Sequence, residues 1–160
     1  MREAERQSSG FDEPKVQGYQ HARQKLPEIL DRYRHFDLAL FLVDADGKDR
    51  TAAFEAIESK AESNGSVLIC AAAVQEIEMW LLAGHAEKLG ISWREVRRDT
   101  SVKENVFEPF LSEHGDGRRY GGGRDLLMKQ GLVRYAQVLQ RCPELRRLQK
   151  RIIAHLARDR

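Results

Sequence analysis

Apolar positions recur along this chain with two different periods. Between Gly18 and His35, Ala22, Leu26, Ile29, Leu30 and Tyr33 return at spacings of three and four, which predicts a helix whose turns are disturbed by Pro27. The next run, LALFLV from Leu38 to Val43, is continuous, short and closed by polar turn residues, the pattern of a strand buried on both faces. Ala53, Phe54 and Ile57 predict a second helix over Thr51–Asn64, stopped at Asn64-Gly65. Ser66–Ala71, SVLICA, repeats the strand pattern. Strand, helix and strand in this order predict a right-handed βαβ crossover with parallel strands, so the fold class is α/β.

Beyond the second strand the period returns to that of helices. Ile77, Trp80 and Leu81 predict a helix from Val74 to Leu89, on which Glu76 and Glu78, two residues apart, would point in different directions. The segment from Gly90 to Gly123 shows no period and closes in HGDGRRYGGGR, whose glycines predict a loop. Two helices are expected to finish the chain, over Asp125–Arg141 and Pro143–Ala157, the last with Leu145, Leu148, Ile152 and Leu156 as an apolar stripe. The organisation expected is a flexible polar arm over 1–15, an α/β core over 16–100, an irregular basic and Gly-rich loop over 101–124, and a basic helical extension over 125–160 packed on the core.

Composition narrows the picture. At 160 residues, 41% hydrophobic and 32% charged, the chain fits one globular domain. No apolar run approaches the roughly 18–20 residues that span a bilayer, and MREAERQSSG lacks the apolar block of a secretion signal, so a cytoplasmic location without membrane contact is expected. Cys70 and Cys142 stand far apart with no CxxC spacing, which argues against a disulfide framework or a thiolate zinc site. The net charge of +2 is uninformative, but from Arg118 onward twelve basic residues face three acids, an asymmetry that suits either a phosphate-binding surface or simply the solvated faces of charged helices.

The candidate chemistry starts where the first strand stops, at FLVDADGKDR. Ligands of open parallel sheets bind beyond the carboxyl ends of the strands, and Asp44 and Asp46, two apart on an extended segment, would point to the same side and could share a hard cation such as Mg²⁺. The same letters also suit a plain Asp-Gly turn with self-capping aspartates. Other motifs fit poorly: an EF-hand loop from Asp44 would place Lys48 at a ligand position and Asp49 where glycine is required, a haloacid-dehalogenase phosphatase would need its later acids after an apolar run, and no GxxxxGK[ST] occurs. Glu78, near the start of the helix after the second strand, would reach the same sheet edge as a third acid. His85 and His114 have no evident partner, and Trp80 reads as core.

Asp44-Ala-Asp46-Gly, followed one βα unit later by Glu78-Met-Trp80-Leu-Leu, resembles the Toprim superfamily, and more narrowly the small Toprim-like proteins of bacterial defence loci, relatives of RloB-type and OLD-type nucleases. The resemblance covers residues 36–85. It implies a Toprim-like, Rossmann-like, mainly parallel sheet flanked by helices, and Mg²⁺- or Mn²⁺-dependent cleavage of DNA or RNA with Asp44, Asp46 and Glu78 as metal ligands. It further implies Lys48, Arg118, Arg119, Arg124 and Lys129 as contacts to nucleic-acid phosphates. Toprim domains open with a strand ending in glutamate, whereas Glu3, Glu5 and Glu13 stand in polar surroundings. The expectation is therefore either a nuclease or nuclease subunit, the motif being missing from a shortened member or supplied by a partner protein, or a non-catalytic module that binds nucleic acid or a partner protein.

Overall fold

A computed structural model describes residues 18–158; the arm expected over 1–15, with Glu3, Glu5 and Glu13, lies outside the described residues. The first helix, α1, spans Gly18–Arg32 with Pro27 inside it. Strand β1 (Ala39–Asp44) runs parallel to β2 (Leu68–Ala73), in register from Ala39 opposite Leu68 to Asp44 opposite Ala73. The crossover between them is α2, Thr51–Ser63, which stops at Asn64 and a left-handed Gly65. One face of this two-stranded sheet presents Phe41, Val43, Leu68 and Cys70 to Leu26 of α1 and Ala61 of α2, with Phe54 and Ile57 against them. The other face is only partly covered. Leu40 and Leu42 are 46% and 38% exposed, which corrects the expectation that β1 is buried on both sides. A continuous apolar run had two explanations, and here alternation in burial was hidden because the outward residues are leucines.

The helical part departs further from the sequence pattern. The helix expected over Val74–Leu89 is a short one, α3 (Glu78–Ala83), followed after His85 by a 3-10 turn, Ala86–Lys88. Residues 73–75 instead prolong the strand pairing, because Ala73, Val74 and Gln75 accept backbone hydrogen bonds from Ala45, Gly47 and Asp46. The expected irregular segment is ordered as well. It holds α4 (Trp93–Arg98), a π-turn (Lys103–Phe107) and α5 (Glu108–His114), and it supplies Val96, Val102, Val106, Phe107 and Phe110 to a second core around Met79 and Leu82 of α3. Its apolar residues were legible one by one, but the π-turn breaks the period that would have marked a helix. Residues 115–119 are irregular and run into a 3-10 turn at Tyr120–Gly123. At its end the left-handed Gly123 lies so close to Asp116 that a Cβ would stand 2.5 Å from the Asp116 backbone nitrogen, so this position admits glycine alone.

The helix expected over Asp125–Arg141 is divided into α6 (Arg124–Leu132) and α7 (Tyr135–Arg141), and α8 covers Pro143–Leu156. Helix α8 lies against β2 and fastens its free edge. Glu58 of α2 accepts the Cys70 N–H at 2.7 Å, Arg151 of α8 donates to the Cys70 carbonyl at 3.2 Å, and the two side chains meet each other at 2.8 and 3.0 Å. Cys70 and Cys142 are both buried free thiols, and burial pushes each up to about 12, the nearby Glu58 and Glu144 acting in the same direction. Both are therefore inert structural cysteines. Among the described residues no helix is long and apolar enough to cross a membrane.

Candidate functional site at the carboxyl end of the sheet

Asp44 ends β1 half-buried, and its Oδ1 accepts the Ile77 N–H at 2.8 Å. That bond ties the end of β1 to the segment that leads into α3 and fixes the carboxylate beside Glu78. Burial raises the Asp44 pKa above the ordinary aspartate value; the Ile77 N–H opposes this, and the negative charges of Glu78 and Asp46 add to it. Glu76 behaves alike. It lies before α3, not on it, and its Oε2 accepts the Lys103 N–H at 2.9 Å. Burial raises its pKa first, and Glu78, Glu104 and Asp44 raise it further. The charges of Glu78 and Asp44 thus bear on Glu76, which does not share a helix with Glu78 as expected. Sequence reasoning discounted Glu76 because it assumed helix from Val74 onward.

Asp46 is placed differently from expectation. The backbone does not stay extended: Asp46 has φ of 51° and Gly47 has φ of 68°, and Lys48 N–H bonds to the Ala45 carbonyl at 2.9 Å across them. Two successive positive φ values make the turn of the mirror-image type I′ class, for which Asp-Gly is a preferred pair. The turn swings Asp46 out. Its side chain is 61% exposed and lies 3.5 Å from Arg50, whose guanidinium stacks on Tyr19 and whose Nε donates to the Asp44 carbonyl at 3.3 Å. The turn chemistry that competed with the metal reading thus holds for Asp46, while Asp44 stays at the sheet edge.

The basic candidates separate into two places. Arg124, at the start of α6, stacks on Phe107 and lies 3.8 Å from Glu78, so the Gly-rich loop does deliver a cation to the acidic edge. Arg119 is occupied nearby, 2.8 Å from Asp125 and 3.7 Å from Asp116. Arg118 and Lys129 are exposed on the same loop and helix. Lys48 is exposed elsewhere, lining an open cleft with Arg50, Arg147 and Arg151 between α2, β2 and α8. Much of the basic excess of the carboxyl-terminal half is internal countercharge: Arg97 pairs with the buried Glu144, Arg134 and Arg141 with Glu87, and Arg151 with Glu58.

His85 is structural: it is buried, its Nε2–H donates to the Leu127 carbonyl at 2.8 Å, and burial lowers its pKa. His114 packs on Phe110, and Trp80 donates from Nε1 to Glu144 at 3.3 Å, which agrees with a role in the core. The predicted trio does not fit a divalent cation as a set. Among the described residues no group of three or more acidic, His or Cys side chains is arranged to hold a metal. What the fold retains at the sheet edge is the pair Asp44 and Glu78, with Glu76 beside it. Mg²⁺ commonly binds through one or two carboxylates and completes its shell with water and substrate phosphates, so the pair is the donor set to be tested. No family model, curated protein or solved structure matches this chain.

Proposed function

We propose that this chain is a Toprim-like domain that cleaves nucleic-acid phosphodiesters with a divalent cation, and that Asp44 and Glu78, not Asp46, are the residues that hold the ion. One observation carries the reading: at the carboxyl end of a parallel sheet, the charge of Glu78 adds to the burial that raises the Asp44 pKa, and Arg124 stands against Glu78. Carboxylates crowded in this way are relieved by a cation. When bound, Mg²⁺ or Mn²⁺ would stabilise charge on the phosphate and lower the pKa of a water. The protein's own part is placement. The Ile77 N–H orients Asp44, Arg124 can exchange Glu78 for a phosphate oxygen, and the exposed Arg118 and Lys129 can hold flanking phosphates.

A second reading, a non-catalytic module that binds nucleic acid or a partner protein, is favoured by the ion pairs Arg124–Glu78 and Arg50–Asp46, which supply countercharge from within the chain. The two are separated by incubating labelled single- and double-stranded DNA and RNA with Mn²⁺, Mg²⁺ or EDTA. The nuclease reading expects cleavage only with metal, reduced by roughly a hundredfold or more in Asp44→Asn and Glu78→Gln. Intact substrate that is nonetheless retained, in a salt-sensitive manner, would establish the module instead.

A further inference from the structure

The loop before α6 displays an aromatic ring that the fold does not use. Tyr120 is 103% exposed, more than any other large hydrophobic residue among those described. Among the described residues no ring or guanidinium stacks on it, and its hydroxyl has no protein hydrogen-bond partner. The segment that carries it is nonetheless tightly closed. Asp116 N–H donates to the Gly122 carbonyl at 2.9 Å, Arg119 N–H to the Asp116 carbonyl at 2.9 Å and Gly122 N–H to the Arg119 carbonyl at 3.1 Å, while the Arg119 guanidinium ties the loop to Asp125 at 2.8 Å. A Cβ on Gly115 would stand 2.3 Å from the Gly122 carbonyl oxygen, so the two ends of the loop are in backbone contact. A closed loop that holds a large ring in water keeps that ring pre-positioned for a partner.

The surroundings of the ring favour one kind of partner. From Gly115 to Arg124 the chain reads GDGRRYGGGR, so Tyr120 stands among arginines and glycines with no aliphatic side chain in the segment. The core of a protein-binding patch is apolar and poor in charge, whereas a single ring among guanidinium groups matches a nucleotide, with the base on the ring and phosphates on the cations. Bases in a duplex are stacked on one another and leave the ring only backbone and groove edges; a single strand offers an open base face. The loop also adjoins the acidic edge, since a Cβ on Gly121 would stand 3.9 Å from the Arg124 Cδ and Arg124 lies 3.8 Å from Glu78. We infer that Tyr120 is a stacking platform for an unpaired base of single-stranded nucleic acid, with Arg118 and Arg124 on the flanking phosphates, so that single strands are the substrate class of the site. The inference rests on the nucleic-acid reading above and deepens it. Every base has a face to stack, so the platform selects single strands and leaves their sequence unread.

The test is fluorescence anisotropy of a dye-labelled, unstructured oligonucleotide, alone or annealed to its complement, as DNA and as RNA. It is titrated with the wild-type chain, Tyr120→Ala and Tyr120→Phe, in EDTA and again in Ca²⁺, with circular dichroism as the check on folding. Tyr120→Ala is expected to weaken single-strand binding about tenfold or more, the loss of one base stack, and to change duplex binding less than about twofold. Tyr120→Phe keeps the ring and is expected to bind as the wild type does. The salt dependence of Tyr120→Ala stays that of the wild type, while Arg118→Ala, which loses a phosphate contact, shows a shallower one. Wild-type affinity in Tyr120→Ala, equal weakening on single strand and duplex, or failure of Tyr120→Phe to restore binding would overturn the stacking role and leave nucleic-acid binding standing. A wild-type chain that binds neither single strand nor duplex would overturn both.

Discussion

At the scale of single residues, the proposed role of Asp44 and native stability oppose each other. Its pKa is raised in the folded protein by burial and by Glu78, so the unfolded chain ionises first as pH rises, and ionisation costs native stability. The sign is fixed: the penalty is absent below the ordinary aspartate range, grows as pH climbs through the raised value, and is complete above it. Asp44→Asn, which keeps an oxygen for the Ile77 N–H, is expected to melt higher than wild type at neutral pH, with the difference vanishing in acid. Thermal melts across pH check this, and a lower melting temperature at neutral pH would contradict it. Asp46→Asn exchanges only an exposed contact to Arg50 and is expected to change stability by less than about 1 kcal/mol. The sequence made Asp44 visible because it ends an apolar run. It did not reveal that Asp46 turns away, since Asp-Gly serves a tight turn as readily as an extended ligand pair.

At the scale of elements, the crossing of α3 and α6 depends on two glycines with unequal tolerance. A Cβ on Gly84 would stand 2.6 Å from the Gly131 Cα, whereas a Cβ on Gly131 would meet nothing nearer than 3.5 Å. Gly84→Ala is therefore expected to cost about 1–3 kcal/mol through overpacking, while Gly131→Ala is neutral or gains up to about 1 kcal/mol from helix propensity. Denaturant titration of the two variants checks the asymmetry; equal effects would contradict it. The βαβ unit was legible because α2 keeps a helical period and both strands are short apolar runs between clear stop signals at Asp46-Gly47 and Asn64-Gly65. The helices after β2 were not. Their interruptions at Ala73–Ile77, at the π-turn and at Val133-Arg134 are set by tertiary contacts, among them the pairing of Gln75 with Asp46 and of Arg134 with Glu87.

At the scale of the whole molecule, one clamp joins the βαβ unit to the carboxyl-terminal helices. Glu58 and Arg151 form a two-pronged pair and both bond to Cys70, so α2, β2 and α8 meet at a single backbone position. Arg151→Ala leaves Glu58 half-supported and the Cys70 carbonyl without its donor, and a loss of about 1–3 kcal/mol is expected. A double-mutant cycle with Glu58→Gln should show coupling above about 0.5 kcal/mol; additive effects would mean that the edge is fastened by packing alone. The clamp holds α8 beside the sheet, while α3 and the loop before α6 bring Glu78 and Arg124 to the end of β1. The acidic edge is thus assembled from segments far apart in sequence, which is why motif spacing disclosed Asp44 and Glu78 but gave no sign of Lys103 or of the Arg124–Glu78 pair.

The central claim, that Asp44 and Glu78 hold a divalent cation, is tested most directly by calorimetric titration of Mn²⁺ into the wild-type chain, Asp44→Asn, Glu78→Gln and Asp46→Asn. The account predicts one saturable site, weakened at least about tenfold by the first two substitutions and little changed by the third. No saturable binding in the wild type, or equal binding by all four proteins, would contradict it.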